Sequence, residues 1–209
     1  MRDDVRPGNP FPDYELPDHL GTPRRLSDLQ GPDPMVLTLL RGLFCPKDRQ
    51  QLHRLVPFHD ECVVGYTRLV SVTTDDSVVE VNELRQGVGA HWPFLYDADR
   101  VIADDLGIHE YTDEEHRPMI PHTLVLEPGL VIHSVYPGYW YWDRPSLAEL
   151  RQDLRAITRK VRPDWEIDTP EMRQKWEGGD KEVFYPYGES MEEALARANG
   201  ALDRFAGPS

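Results

Sequence analysis

The stretch Met35-Val36-Leu37-Thr38-Leu39-Leu40-Arg41-Gly42-Leu43-Phe44-Cys45-Pro46-Lys47-Asp48-Arg49 decides how this chain folds. Its first six residues form an apolar run, which is typical of a strand buried on both faces. Pro46 fits the first turn of a helix, because its missing N–H would be unpaired there anyway. The stretch therefore predicts a strand followed by a helix, with Cys45 at the junction.

Cys45 is predicted to be a reactive nucleophile. Free backbone N–H groups and the helix dipole favour a thiolate at a helix start, and Arg41, Lys47 and Arg49 add positive charge nearby. The alternative is a buried, inert thiol, since free cysteines are among the most buried residues. The combination of strand, cysteine, proline and cations favours the reactive interpretation.

Composition limits the possible partners and location. The 209 residues carry a net charge of −14, which argues against nucleic acid or an anionic membrane as the main partner. No run approaches the roughly 20 apolar residues of a membrane span, and the N-terminus lacks an apolar signal region. With only two cysteines, a reducing, cytoplasmic setting is expected. The eight histidines show no metal-site spacing, so no metal or other cofactor is predicted.

The rest of the chain alternates between strand and helix patterns. Strands are predicted at 14–16, 22–26, 35–40, 67–73, 122–126 and 130–135, and helices at 46–66, 77–85, 100–106 and 146–160. Pro57 is expected to kink or split the first long helix. Ser77 and Ser146 are the expected N-caps of two others. Alternation followed by a hairpin predicts a mixed sheet with helices on both faces.

The sequence divides near residue 160. Residues 1–160 form the predicted α/β domain, whereas residues 161–209 lack strand patterns but carry six aromatic side chains. A disordered tail is usually poor in aromatics, so this extension is expected to pack on the domain or on a partner subunit of a homodimer. A terminal helix is predicted over Met191–Phe205.

Several segments carry a resemblance to a known family. They are Phe11–Asp18 with Gly21 and Leu26–Leu29, Arg41-Gly42-Leu43-Phe44-Cys45-Pro46, Leu69–Asp75, Trp92–Asp97, and Met119–Leu126. From about Phe11 to Lys160 the chain resembles the peroxiredoxins, the thioredoxin-fold superfamily that includes alkyl hydroperoxide reductase and thiol-specific antioxidant proteins.

The resemblance implies a thioredoxin-like α/β fold and a one-cysteine thiol peroxidase. Cys45 would reduce a hydroperoxide, and an external thiol such as thioredoxin or glutathione would restore it. Pro121 is expected to be a cis-proline that approaches Cys45 and exposes the preceding backbone to a ligand. The alternatives are a thiol-disulfide oxidoreductase acting on disulfides, or a redox sensor or binding module without peroxidase activity.

The chain departs from the family pattern at its site. Thr38 stands where peroxiredoxins carry the proline of their cysteine motif, and Gly42 stands at the threonine that helps to hold peroxide. Pro121 aligns near an arginine that steadies the thiolate, so Arg41 and Arg117 are candidate replacements. Asp48 occupies the second-cysteine position of thioredoxins. Slow peroxide reduction is therefore expected.

Other residues are predicted to line or support the site. Gly42, Phe44, Pro46, Arg117, Trp140 and Trp142 are the candidate substrate-binding residues. The aromatic run 139–142 is expected either to line a pocket or subunit contact or to plug a structural corner.

Asp48, Arg144 and Cys62 have further predicted roles. Asp48 is expected to cap the helix and pair with Lys47 or Arg49. Arg144 resembles the anchoring arginine before the last helix of peroxiredoxins. Cys62 lies about 25 Å from Cys45 along a straight helix, so a core role without an intrachain disulfide is predicted.

Overall fold

The computed structural model describes residues 1–162, 165–181, Phe184 and Glu192. Among these residues the strands are β1 (Glu15–Pro17), β2 (Pro23–Arg25), β3 (Met35–Leu39), β4 (Arg68–Thr73), β5 (Phe94–Tyr96), β6 (His122–Glu127) and β7 (Val131–Pro137). The helices are α1 (Leu26–Gln30), α2 (Pro46–Val64), α3 (Val78–Val88), α4 (Val101–Leu106), α5 (Leu147–Val161) and α6 (Pro170–Glu177), with a 3₁₀ turn at Tyr141–Asp143. The predicted strands and helices up to residue 160 are present in the predicted order, and the structure also contains the short helix α1 and the strand β5.

The central sheet has five strands in the order β5-β4-β3-β6-β7. The strand β3 pairs in parallel with β4, which pairs in parallel with β5. On its other side β3 pairs antiparallel with β6, and β6 forms a hairpin with β7. This is the mixed sheet of a thioredoxin-like fold, and β3 lies at its centre.

The apolar pattern of β3 explains its central place. All five of its residues are buried, so a strand of this composition is stable where neighbours cover both faces. The helix α2 connects β3 to the parallel strand β4, which places the β3–α2 junction at the carboxyl end of the central strand. Cys45 lies at that junction.

Of the kink or split predicted at Pro57, the split is wrong, because α2 runs through Pro57 as one helix. Its neighbours Leu55 and Phe58 are both buried, and this packing offsets the hydrogen bond that proline cannot donate. Val5 and Phe11 anchor the N-terminal segment to the core.

Contacts divide the chain into two compact units, Met1–Leu154 and Arg155–Ser209. The second unit contains α6, which the sequence analysis did not predict. Thr169 caps it by accepting from the Met172 N–H, and Pro170 begins it. The helix predicted over Met191–Phe205 lies, apart from Glu192, outside the described residues. Over the part of the chain that is described, no helix has the length and apolar character needed to span a bilayer.

Candidate active site

Cys45 is the N-cap residue of α2. Its backbone is extended, its N–H donates to the Gly42 carbonyl at 3.1 Å, and its carbonyl accepts from Arg49 at 3.2 Å. Pro46 begins the helix as predicted. The Cys45 side chain is 1% exposed. The thiol therefore lies at the positive end of a helix of 19 residues, under cover rather than at an open surface.

Among the described residues, Arg41 is the cation that contacts the Cys45 sulfur. Its Nη1 lies 3.9 Å from Cys45 Sγ. Its Nε pairs with Glu110 at 2.7 Å and its Nη2 with Asp113 at 3.1 Å. Burial alone lowers the pKa of Arg41, but Glu110 and Cys45 more than offset this, so the net shift is upward and the side chain stays charged. This geometry places Arg41 where it can stabilise a thiolate.

Lys47 and Arg49 do not share that position. The Lys47 ammonium lies 3.5 Å from the Tyr139 carbonyl and over the rings of Tyr139 and Trp140. Arg49 is exposed. Of the three cations predicted near Cys45, Arg41 contacts the sulfur, whereas Lys47 and Arg49 have other surroundings.

Gly42 has a conformation and a neighbour that both exclude a side chain. Its φ is +125°, and a Cβ built there would lie 2.5 Å from Oδ1 of Asp75. The same Oδ1 accepts from the Leu43 N–H at 2.8 Å. Asp75 is buried at the end of β4, and burial raises its pKa. A carboxyl from a neighbouring strand thus fills the space beside residue 42.

Phe44 connects the reactive turn to the segment before β6. Its ring stacks on His116 with centroids 3.8 Å apart and an interplanar angle of 10°. The Arg41 guanidinium lies 5.1 Å from the same ring. His116 in turn contacts Asp113 through Nδ1. Phe44 therefore helps to hold the covering segment over the turn that carries Cys45.

Asp48 does not pair with Lys47 or Arg49, and that prediction is wrong. Its Oδ1 lies 2.6 Å from Nη2 of Arg144, and its Oδ2 accepts from the Arg41 and Gly42 N–H groups at 2.6 and 3.2 Å. Asp48 is fully buried, and the nearly buried Arg144 from a distant segment pairs with it. Burial raises its pKa, and Arg144 opposes that shift.

Arg144 also bonds to two other parts of the domain. Its Nη1 donates to Gln51 at 2.9 Å and its Nε to the Gly138 carbonyl at 3.1 Å. The segment after β7 is thereby fixed to the start of α2. Arg144 acts as the anchor that its position suggested.

Pro121 is trans, and the predicted cis bond is wrong. The Ile120 N–H donates to the Ile108 carbonyl at 2.6 Å, and the Ile120 carbonyl lies 2.7 Å from Nδ1 of His122. Both backbone groups that a cis bond was expected to expose are therefore used within the fold.

Arg117, Trp140 and Trp142 have exposed side chains. The Arg117 side chain is exposed, and its backbone carbonyl accepts from Arg100 at 2.9 Å. Trp140 is 66% exposed and lies beside Lys47, near the start of α2, whereas Trp142 is 87% exposed. These exposures exclude a buried corner plug at either tryptophan.

Cys62 occupies the last turns of α2 and is buried, as predicted for a core residue. Burial raises its pKa to about 12, so the thiol is neutral at physiological pH. Both cysteines are free. In the described part of the chain, no cluster of three or more His, Cys, Asp or Glu residues is placed to hold a metal ion.

Sequence reasoning missed the residues that surround Arg41 and Gly42. Asp75, Glu110, Asp113 and His116 come from β4 and from the segment after α4, far from Cys45 in the chain. The place of Asp75 could have been predicted from the sequence, because it follows β4, the strand that pairs in parallel with β3. No local pattern indicated the other three, because their role depends on how the 107–118 segment folds over the turn.

A thiol at the helix start after the central strand of this mixed sheet defines a redox protein of the thioredoxin-like class. Comparisons with known proteins agree with that class. A family model described as AhpC/TSA matches residues 7–135, which is more than half of the chain. The chain belongs to the AhpC/TSA family and is a redox enzyme.

Particular relatives support the same assignment. A Mycobacterium tuberculosis protein named as a candidate peroxiredoxin is 26% identical over 155 residues, spanning 73% of this chain and 98% of the relative. The crystal structure of peroxidoxin BcpB from the same species has a TM-score of 0.62 at 24% identity, covering 72% of this chain and 95% of that one. A candidate thiol:disulfide interchange protein DsbE from Chlorobium tepidum has a TM-score of 0.58 at 18% identity, covering 73% and 98%. The two structures show a shared fold.

Proposed function

We propose that the protein is a one-cysteine thiol peroxidase that reduces hydroperoxides through Cys45. The contact between Arg41 Nη1 and Cys45 Sγ at the start of α2 is the observation that carries this proposal. A cation and a helix N-terminus together favour the thiolate, which is the nucleophilic form. Family membership supports a redox role for that thiolate.

The reaction has two stages. The Cys45 thiolate attacks one peroxide oxygen, an S–O bond forms and the O–O bond breaks. The thiol is oxidised to a sulfenic acid, and the departing alkoxide takes a proton from water to give an alcohol, or water when hydrogen peroxide is the substrate. An external thiol then attacks the sulfenic sulfur and releases water, and a second external thiol reduces the mixed disulfide.

Cys62 is a poor candidate for the resolving thiol. It lies 17 residues along the chain from Cys45, near the opposite end of a continuous helix, or about 25 Å at 1.5 Å per residue. A disulfide needs Cα atoms within about 7 Å. Its raised pKa also keeps it in the less nucleophilic thiol form. These features support resolution by an outside thiol such as glutathione or thioredoxin.

The direct test is peroxide consumption with each reductant by the full chain, by Cys45→Ser and by Cys62→Ala. Cys45→Ser is expected to abolish consumption, whereas Cys62→Ala is expected to retain it. Mass spectrometry after a single turnover should locate a sulfenic acid, or its adduct with a trapping reagent, on Cys45. Loss of turnover in Cys62→Ala with its fold intact would contradict the one-cysteine mechanism.

Thiol-disulfide exchange is the second candidate function, because a fold neighbour carries the name of a thiol:disulfide interchange protein. The trans bond at Pro121 and the buried Asp48–Arg144 pair at the second-cysteine position weigh against it. Reduction of a disulfide-linked model peptide distinguishes the two functions. Exchange without peroxide consumption would favour the second one.

We also propose that the protein works in the cytoplasm as a homodimer. The presence of only two cysteines supports the location, and the exposed Tyr139, Trp140 and Trp142 side chains support an interaction surface. Cell fractionation and sedimentation of the full chain test these proposals.

A further inference from the structure

We propose that the Cys45 site selects uncharged hydroperoxides and disfavours anionic reactants. This inference rests on the proposed peroxidase function for the identity of the substrate. Its electrostatic basis lies in the pairing of Arg41, which can be measured separately.

Two carboxylates neutralise the charge of Arg41. Glu110 Oε2 lies 2.7 Å from its Nε, and Asp113 Oδ2 lies 3.1 Å from its Nη2. Glu110 is buried, and the Arg41 side chain is only 17% exposed. The hydrogen bond from the His116 backbone N–H is the leading cause that lowers the pKa of Asp113, so that carboxylate is ionised at neutral pH. One guanidinium therefore faces two carboxyl groups and the Cys45 sulfur.

The cations that could restore a positive potential have other partners. Lys47 directs its ammonium to the Tyr139 carbonyl and the neighbouring rings. Arg144 pairs with Asp48 at 2.6 Å. The chain as a whole carries −14, so its long-range field has the same sign as the local excess. The start of α2 adds only about half a positive charge, so an approaching anion meets an excess of negative charge at both ranges.

Neutral peroxides keep a hydrogen-bond donor at this site. A guanidinium has five N–H groups, and Glu110, Asp113 and Cys45 use three of them. The remaining two can donate to a peroxide oxygen. The pairing thus removes the net attraction for an anion while leaving donors for an uncharged substrate.

The first test compares iodoacetamide with iodoacetate, two alkylating reagents of similar size that differ in charge. Rates at Cys45 are measured by peptide mapping and divided by the rates with free cysteine. We expect the normalised preference for iodoacetamide to be about 10-fold or more, the low end of the rate effects that charged clefts produce. The preference should shrink as salt is added, because the long-range part is screened. Equal normalised rates would overturn the inference.

The second test repeats the comparison with hydrogen peroxide and peroxymonosulfate, an anionic peroxide at neutral pH. We expect the normalised rate with hydrogen peroxide to exceed that with peroxymonosulfate. If no peroxide reacts faster with the protein than with free cysteine, the proposed peroxidase function fails. The alkylation result still decides the electrostatic selectivity in that case.

Two double variants test whether the charge preference comes from the pairing of Arg41. They are E110Q/D113N and E114Q/E115Q. Both pairs remove two negative charges from the same segment, but Glu114 and Glu115 are exposed and lie on its outside. The first pair is expected to reduce the preference for the uncharged reagent severalfold more than the second. Each single variant, E110Q or D113N, gives the same comparison should the double variant not fold. An equal effect of the two pairs would assign selectivity to overall charge and overturn the local inference.

Discussion

At the residue scale, Gly42 shows how one position depends on both its backbone and a distant side chain. Its φ of +125° lies in the region that favours glycine, and the Asp75 carboxyl fills the space where a Cβ would lie. We expect Gly42→Ala to lower the free energy of unfolding by about 2 kcal/mol or more, from strain and overpacking together.

The matched control for this prediction is Gly87→Ala inside α3, where an added Cβ meets nothing within 4 Å. Alanine there is expected to stabilise the protein by about 0.5–1 kcal/mol. Urea unfolding measures both changes. A Gly42→Ala variant as stable as the control would mean that the turn relaxes freely.

Arg41 and Arg117 were both candidates to support the thiolate, and the structure separates them. Arg41 contacts the sulfur, whereas the Arg117 side chain is exposed. Arg41→Lys keeps the charge but loses the planar fork that reaches Glu110 and Asp113. We expect Arg41→Lys to slow peroxide reduction about 100- to 1000-fold, the usual cost of losing a preorganised donor.

Arg117→Lys serves as the control for that measurement, and its rate is expected to stay within about twofold, as for a surface change that touches no special feature. Single-turnover rates with hydrogen peroxide give the comparison. A larger loss in Arg117→Lys than in Arg41→Lys would reverse the assignment.

At the scale of elements, a buried ion pair attaches the start of α2 to the segment before α5. Asp48 is fully buried and its partner Arg144 nearly so. Removing one member leaves an uncompensated buried charge, which typically costs 3–5 kcal/mol. Asp48→Ala is therefore expected to lower the free energy of unfolding by about that amount.

Glu61→Ala provides a comparison on the same helix. Glu61 pairs with Arg151 at 2.7 Å, but both side chains are well exposed. Exposed pairs usually contribute about 0–1 kcal/mol. Denaturant unfolding of the two variants should differ by several kcal/mol, and a similar small loss in both would show that water reaches Asp48.

At the scale of the whole molecule, buried histidines should make stability depend on pH. Burial is the leading cause that lowers the pKa values of His19, His59 and His122. In the unfolded chain these groups titrate near 6.5, so below that pH the unfolded state binds more protons than the folded state. Their contribution to stability is complete above about pH 7 and is lost as the pH falls below 6.5.

The variant His122→Gln isolates one of these groups. Its free energy of unfolding should fall less steeply than that of the parent chain between about pH 7 and 5.5, since it removes one proton-binding difference. Buried carboxyls with raised pKa values, such as Asp75 and Asp97, change the pH dependence of stability in the opposite direction. Their contribution is the same in the variant and in the parent chain, so it cancels in this comparison. Identical slopes would indicate that His122 stays solvated.

The apolar and polar patterns of the sequence were sufficient to predict the order of elements. Strands β3 and β4, the hairpin β6–β7 and the capping of α3 by Ser77 follow from local preferences. Cys45 could be found for the same reason, because a helix start is a local feature. The helix α6 could also have been found from the N-cap and proline at Thr169-Pro170, which are local too.

Only the tertiary structure decided how the thiol is surrounded. The pairing of Arg41 with Glu110 and Asp113, the Asp75 carboxyl beside Gly42 and the Asp48–Arg144 pair all join residues far apart in the chain. Local preference carries no information about which distant groups meet, since that depends on sheet order and on the path of the connecting segments. The sequence by itself determined the fold and the place of Cys45 at a helix start, and tertiary packing determined the charge around it.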